Sequence, residues 1–218
     1  TPGVSYTDII ADANGVDAQI LNGQTFVDCE VRNTGGGAAG TNVAIAISDY
    51  GGCANGCTVK NVRGGGIRNY SAVASGNVVV ATIVNNLIYS VGGDGIRIGS
   101  PTLYGCIIVG NTVNGSGGDG IEIDNADQIA GSVIRNNILS NNTGYGINCS
   151  VGTVALNDRL SIGKINYNNA YNNTAGARNG ISAGANDTAL DPQYVNAAGG
   201  DFSVGTNMKA IGFPGAFR

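Results

Sequence analysis

One feature of this chain restricts its fold more than any other: a short motif returns about every 25 residues. Thr58-Val59-Lys60-Asn61-Val62, Ile83-Val84-Asn85-Asn86-Leu87, Ile108-Val109-Gly110-Asn111-Thr112 and Ile134-Arg135-Asn136-Asn137-Ile138 align so that asparagine recurs at intervals of 25, 25 and 26, and a fifth copy ends at Asn169. A Gly-Ile step follows each copy, at Gly66-Ile67, Gly95-Ile96, Gly120-Ile121, Gly146-Ile147 and Gly180-Ile181. Between these marks lie Ile96-Arg97-Ile98, Ile121-Glu122-Ile123 and Ile147-Asn148-Cys149, whose period of two is that of strands with one face inward. Helical spacing is absent. Several short strands per period, each bounded by Gly or Asn, are what a solenoid coil needs, because one coil cannot bury its apolar face until another stacks on it.

The expectation is an all-β chain, a right-handed parallel β-helix of about six to seven coils of about 25 residues. Stacking places equivalent positions about 4.8 Å apart in ladders. Ile98, Ile123 and Cys149 are expected to stack inward, as are Thr58, Ile83, Ile108 and Ile134, with Ala81 and Cys106 two residues earlier. The asparagines are expected at a turn, where Asn tolerates left-handed backbone and its amide can bond along the stack.

Composition narrows the functional classes. With 218 residues the chain is long enough for one domain. Its 42% hydrophobic and 12% charged residues argue against disorder, and its net charge of -4 without a basic run argues against nucleic acid. The longest apolar stretch, Val78 to Val84, is too short to span a bilayer, so no membrane insertion is expected. The start at Thr1 points to a processed protein or a piece of a longer one. Of five cysteines, Cys53 and Cys57 flank a tight segment and are the disulfide candidates. The lack of histidine makes a zinc site improbable.

The coil from Asn85 to Ile96, Asn-Asn followed by Gly-Asp-Gly-Ile, resembles those of right-handed parallel β-helix proteins with pectate-lyase-like coils, found in secreted bacterial and phage proteins that bind or cleave polysaccharides. The resemblance covers roughly residues 25–185. The tail, with Leu190-Asp191-Pro192-Gln193-Tyr194-Val195, Gly200-Asp201-Phe202-Ser203-Val204 and Ala210-Ile211-Gly212-Phe213-Pro214-Gly215, is similar to the closing segments of such proteins. This implies one domain over 1–218: an uncapped first coil or junction at 1–24, repeat coils at 25–185, and a closing segment at 186–218 that covers the last coil.

Acid and base chemistry on this scaffold needs carboxylates gathered on one face. Asp94 and Asp119 hold the same place in consecutive coils, with Glu122, Asp124 and Asp127 close behind. Asp94, Asp119 and Glu122 are therefore the catalytic candidates, and Asp94 with Asp119 a calcium candidate; no other metal and no other cofactor is expected. Aspartate before glycine is also ordinary turn chemistry, and Gly65, Tyr145 and Asn179 fill the same slot elsewhere, which favours the turn reading. Arg97 and Glu122, 25 residues apart, are expected to face one another as a surface ion pair. The polygalacturonase-like and alginate-epimerase-like patterns of the family both need histidine, so those activities are disfavoured. A lyase with Arg63, Arg68, Arg135 or Lys164 as base remains open, and no spacing singles one out.

Tyr89, Tyr104, Tyr145, Tyr167 and Tyr171 lie among many Asn and Asp residues, the chemistry of a sugar-binding face; Tyr89, Tyr145, Arg97 and Asp124 are the carbohydrate candidates. Asn69, Asn114, Asn141, Asn148, Asn172 and Asn186 head glycosylation sequons. Residues Val151 to Ile165, including Asn157-Asp158-Arg159, interrupt the repeat, and a groove is expected beside them. The reading that follows is a non-catalytic extracellular, cell-surface or virion structural protein: a β-helical rod that forms a homo-oligomer or filament, or joins a larger fibre, and contacts polysaccharide. Two alternatives stand beside it, a phage-tailspike-like or secreted polysaccharide lyase or hydrolase, and the C-terminal fragment of a long adhesin.

Overall fold

The computed structural model describes residues 5–12, 21–23, 25–34, 43–47, 52–69, 81–99, 106–124, 132–149, 165–206 and 208. Their strands form three parallel seven-stranded sheets, each strand pairing with those three places away in chain order. Sheet I contains Ser5–Thr7, Thr25–Val27, Cys53–Asn55, Ala81–Val84, Cys106–Val109, Val133–Arg135 and Ile165–Asn166. Sheet II contains Ile10–Asp12, Glu30–Thr34, Thr58–Val62, Leu87–Val91, Thr112–Asn114, Ile138–Ser140 and Asn169–Tyr171. Sheet III contains Leu21–Gly23, Val43–Ile47, Gly65–Asn69, Ile96–Ile98, Ile121–Ile123, Tyr145–Cys149 and Gly176–Asn179. The chain is thus an all-β parallel solenoid, as its repeat predicts. Among the described residues no helix is long and apolar enough to cross a membrane.

The core is a set of ladders running along the solenoid. Sheet I sends in Phe26, Ala54, Ile83, Ile108, Ile134 and Ile165, and sheet II Val31, Val59, Ile88, Val113, Leu139 and Ala170. Sheet III adds Ile45, Ile67, Ile96, Ile121 and Ile147, with Ile98, Ile123 and Cys149 in register two residues on. Each buried isoleucine contributes about 1.5–3 kcal/mol relative to exposure. The glycines before Ile67, Ile96, Ile121 and Ile147 allow the corner to close: a Cβ at Gly95 would lie 2.3 Å from Val113 Cγ1 and 2.8 Å from the Gly120 carbonyl oxygen.

Two left-handed turns join the sheets. Asp8, Asp28, Gly56, Asn85, Gly110, Asn136 and Tyr167 take positive φ between sheets I and II, and Asn33, Asn61, Ser90, Gly115, Asn141 and Asn172 do so at the ends of the sheet II strands, where the chain turns towards sheet III. This corrects the expected alignment. Thr58–Val62 belongs to sheet II and Asn61 to the second turn, so Thr58 is not in the inward ladder; Ala54 holds that place. Asparagine suits both turns because its short polar side chain lowers the cost of left-handed backbone, so the two look alike in sequence. The true counterpart of Asn86 is Cys57, 29 residues earlier, whose N–H donates to Asn86 Oδ1 at 2.9 Å. The last Gly-Ile step is displaced as well: Arg178, not Ile181, pairs with Ile147, and Ile181 packs on the core just beyond the strand.

The residue after the first turn carries the asparagine ladder. Asn111 Oδ1 accepts from the Asn86 N–H and Nδ2, Asn137 Oδ1 from those of Asn111, and Asn168 Oδ1 from those of Asn137, at 2.9–3.3 Å. Every Nδ2 also donates to a carbonyl: Asn86 to Ala54, Asn111 to Ile83, Asn137 to Ile108 and Asn168 to Ile134. The ladder ends on a carboxylate. Asp187 Oδ1 accepts from the Asn168 N–H at 2.6 Å, while its Oδ2 accepts from the Gly184 N–H and meets Arg178 Nη2 at 2.9 Å.

The segment after the last strand does two things. Gly184 lies against the Ile165 carbonyl, the Asn186 N–H donates to Asn166 Oδ1, and Thr188 bridges to Asn169, so residues 184–188 sit on the final coil. The chain then runs back across the outer face of sheet II. Tyr194 meets Ser140, Val204 and Met208 pack on Ile138, and Phe202 reaches Tyr89 with ring centroids 4.8 Å apart. This cover explains why Ile138, Ser140 and Asn169 are buried although they point outward. Residues 150–164, with the expected groove, Asn157-Asp158-Arg159 and Lys164, lie outside the described residues, as do Tyr104, Asp127 and 210–215.

Candidate functional site

The outer face of sheet III gathers most of the sequence candidates. Pairing aligns Arg68, Arg97, Glu122 and Asn148 in one outward row, with Asn179 bonded to Asn148 at its end. Period-two strands bring them there, since the residues on either side face inward: Ile67 and Asn69 around Arg68, Ile96 and Ile98 around Arg97, Ile121 and Ile123 around Glu122, and Ile147 and Cys149 around Asn148. Asp94 and Asp119 sit at the corner before the row and Asp124 just after it.

The two aspartates serve the backbone. Asp94 Oδ1 accepts from the Asp119 N–H at 2.9 Å, and Asp119 Oδ1 accepts from the Tyr145 N–H of the next coil. Asp119 Oδ2 also accepts from Asn148 Nδ2 at 2.9 Å. These are turn contacts repeated from coil to coil, the chemistry of aspartate at a bend. Burial raises the Asp94 carboxyl above its ordinary pKa, partly offset by the Asp119 N–H and by Arg97, with Asp119 and Asp124 adding repulsion. A raised pKa means that the folded chain holds this proton more tightly than the unfolded chain. Its effect on stability is therefore favourable at low pH and is lost as pH rises through the folded pKa. Asp94→Asn keeps the acceptor for the Asp119 N–H and removes that loss. The variant is expected to melt within about 0.5 kcal/mol of wild type at acid pH, and to fall less between the ordinary aspartate range and neutrality. Urea titrations across that range check this.

Arg97 pairs differently from expectation. Although its Cα faces Glu122 in register, its Nε meets Asp124 Oδ1 at 3.0 Å and its Nη1 meets Asp94 Oδ2 at 3.5 Å. The guanidinium passes diagonally to the carboxylate two residues beyond Glu122. Burial works against its charge, but Asp124, then Asp94 and Glu122, outweigh this and raise its pKa. The Arg97–Asp124 pair is partly open to water and contributes at most about 1 kcal/mol. Glu122 is 7% exposed, far less than an ordinary surface carboxylate. Arg68 completes the group: a Cβ at Gly99 would meet Arg68 Nε and Nη2 at 3.1 Å and Asp124 Oδ2 at 3.0 Å, so Gly99 leaves room for both. Sequence spacing does not single out Arg68, because its coil is 29 residues long where the next is 25.

Other candidates are scattered. Arg135 points out from sheet I, 5.2 Å from the Tyr167 ring, and Arg63 follows a sheet II strand. Tyr89 lies under Phe202, Tyr145 begins a sheet III strand, and Tyr171 ends the last sheet II strand, so the described rings do not form one aromatic row. Among the sequons, Asn69 is fully buried in the inward ladder between Ile47 and Ile98 and has no room for a sugar in the folded chain. Asn114, Asn141 and Asn172 bond to one another along the second turn, where Asn141 and Asn172 are exposed, as is Asn186. Asn148 is held between Asp119 and Asn179.

Cys53 and Cys57 are both free thiols on different sides of the coil wall. The alternation that buries Ala54 turns Cys53 outward, whereas Cys57 follows the turn and points into the core, so the two do not bridge. Among the described residues no three acidic or thiol side chains cluster as a metal site. No family model, curated protein or solved structure matches the chain.

Proposed function

We propose that this chain is a non-catalytic structural β-solenoid, a right-handed rod of pectate-lyase-like coils that joins a larger surface assembly. Parallel strand crossovers are right-handed in about 98% of cases, which supports the handedness. The observation that carries the functional reading is the use of the candidate acids. Asp94 and Asp119 hold the next coil's backbone N–H groups, and Arg97 is held by Asp124 and Asp94, so these side chains bind the scaffold to itself.

Assembly is supported by the opposite end from the closing segment. Ser5–Thr7 and Ile10–Asp12 are edge strands of their sheets among the described residues, and Ile9 and Ile10 are 39% and 65% exposed. A strand edge that no described strand pairs is a template for further strands. A second copy of the chain is the occupant proposed here. The outer face of sheet III, with Arg97, Asp124 and Tyr145, is the surface offered to sugars, and the coil resemblance favours an extracellular, cell-surface or virion setting.

Light scattering and electron microscopy of the chain test this. Wild type is expected as a multimer, and Ile9→Lys/Ile10→Lys as single solenoids with unchanged circular dichroism. A wild-type monomer that releases new ends from acidic polysaccharides would replace this reading with the lyase or hydrolase one.

A further inference from the structure

We infer that Cys29 and Cys57 form a disulfide between adjacent coils when the chain folds in the presence of a disulfide oxidant. The inference stands apart from the rod and assembly reading, since it rests on two core residues only.

The two cysteines occupy equivalent places. Val27 pairs with Asn55 just before them and Glu30 with Thr58 just after, and the Thr58 N–H donates to the Cys29 carbonyl at 2.8 Å. Both are free thiols in this structure, Cys29 Sγ donating to the Val27 carbonyl and Cys57 Sγ to the Asn55 carbonyl, each two residues back, so bonding them takes a side-chain rotation within the same slot. Equivalent residues of stacked strands have Cα atoms about 4.8 Å apart, inside the roughly 4.4–6.8 Å that a disulfide spans. Both side chains are buried, with exposures of 1% and 0%.

The ladder explains why a link belongs there. In the coils that follow, this slot holds Asn86, Asn111, Asn137 and Asn168, which tie each coil to the next by paired amide bonds. A thiol is a weak donor and weak acceptor and cannot reproduce that tie. Cys57 receives the Asn86 acceptor on its N–H but offers only sulfur towards Cys29. A covalent bond restores the connection where the amides stop.

The chemistry balances with glutathione disulfide as oxidant. The thiolate of one cysteine attacks glutathione disulfide and expels one glutathione; the second thiolate then displaces the other, forming the Cys29–Cys57 bond. Two thiol protons and two electrons leave as two reduced glutathiones. In the closed solenoid, burial pushes the Cys57 thiol up to about 12, so the exchange belongs to folding, before the coils close.

The test is refolding of the chain in a glutathione redox buffer, then alkylation and peptide mapping by mass spectrometry. A Cys29–Cys57 linked peptide is expected, with Cys53, Cys106 and Cys149 alkylated and the intact mass lower by two hydrogens. Tm should rise by roughly 5–10 °C over the reduced protein and return on reduction. Cys29→Ser should abolish the linked peptide and the redox-dependent rise, and Cys53→Ser should leave both. Five alkylated thiols after oxidative refolding, or a link through Cys53, would overturn the inference. The wild-type map decides the matter even where Cys29→Ser does not fold.

Discussion

Asn137→Leu is expected to destabilise the solenoid by about 3–6 kcal/mol, although leucine matches the apolar core around it. Asn137 Oδ1 accepts from the Asn111 N–H and Nδ2, and its own Nδ2 donates to the Ile108 carbonyl and Asn168 Oδ1. All are buried, so leucine leaves donors on one side and acceptors on the other without water to replace the lost partner. The loss is also directional. Amides in the ladder donate the same way along the axis, from Asn86 to Asp187, so removing the middle member separates the terminal carboxylate from the upstream amides. In a stacked array each coil holds mainly its neighbours. Hydrogen exchange should therefore accelerate first in the strands that flank residue 137, with the early coils protected longer. An even loss of protection along the chain would argue against a local tie.

Asp187→Ala is expected to cost about 3–5 kcal/mol, the usual loss when one member of a buried ion pair is removed. Side-chain exposures of Arg178 and Asp187 are 12% and 1%, so the carboxylate is almost wholly withdrawn from water. Its removal leaves Arg178 without its counter-ion and the Asn168 and Gly184 N–H groups without acceptors. The closing residues 184–188 should then lift from the final coil, uncovering the Ile165–Asn166 and Asn169–Tyr171 strands. Asp187→Asn keeps one acceptor oxygen for Asn168 and is expected to lose about 1–3 kcal/mol. Urea midpoints, with proteolysis between residues 180 and 206, distinguish the two variants. Equal losses would mean that the charge on Asp187 is not what holds the segment down.

These two effects and the cysteine pair share one physical origin. The slot after the first turn faces the interior, where any polar group must find its partner in the coil above or below. Asparagine answers this by donating and accepting together, Asp187 by ending the series with a charge that Arg178 balances, and Cys29 and Cys57 with thiols that donate only to the carbonyl two residues back in their own coil. The outer face of sheet III follows the same logic at lower stakes: Asp94 and Asp119 tie the corners of successive coils, and the partly hydrated Arg97–Asp124 pair adds little.

The parallel solenoid was legible in the order of residues, because alternation with period two and a recurring Gly-Ile corner are local properties that every coil repeats. Ile98, Ile123 and Cys149, or Ile83, Ile108 and Ile134, could be placed inward for that reason alone. Register is another matter. It is the sum of coil lengths, and a coil of 29 residues between Cys57 and Asn86 shifts every earlier assignment, which is why Asn61 passed for the ladder residue. Two left-handed turns that both accept asparagine cannot be told apart until the strands between them are stacked. Arg97 took Asp124 as partner because a long side chain reaches diagonally across a sheet, which pairing register does not reveal. Only the tertiary structure laid the final segment over sheet II, burying Ile138, Ser140 and Tyr89's outer face beneath Val204, Tyr194 and Phe202. The strand pattern marks those residues as outward, and only a return of the chain from more than 50 positions away could cover them. What repeats from neighbour to neighbour is written in the sequence; what depends on long-range closure is decided by the fold.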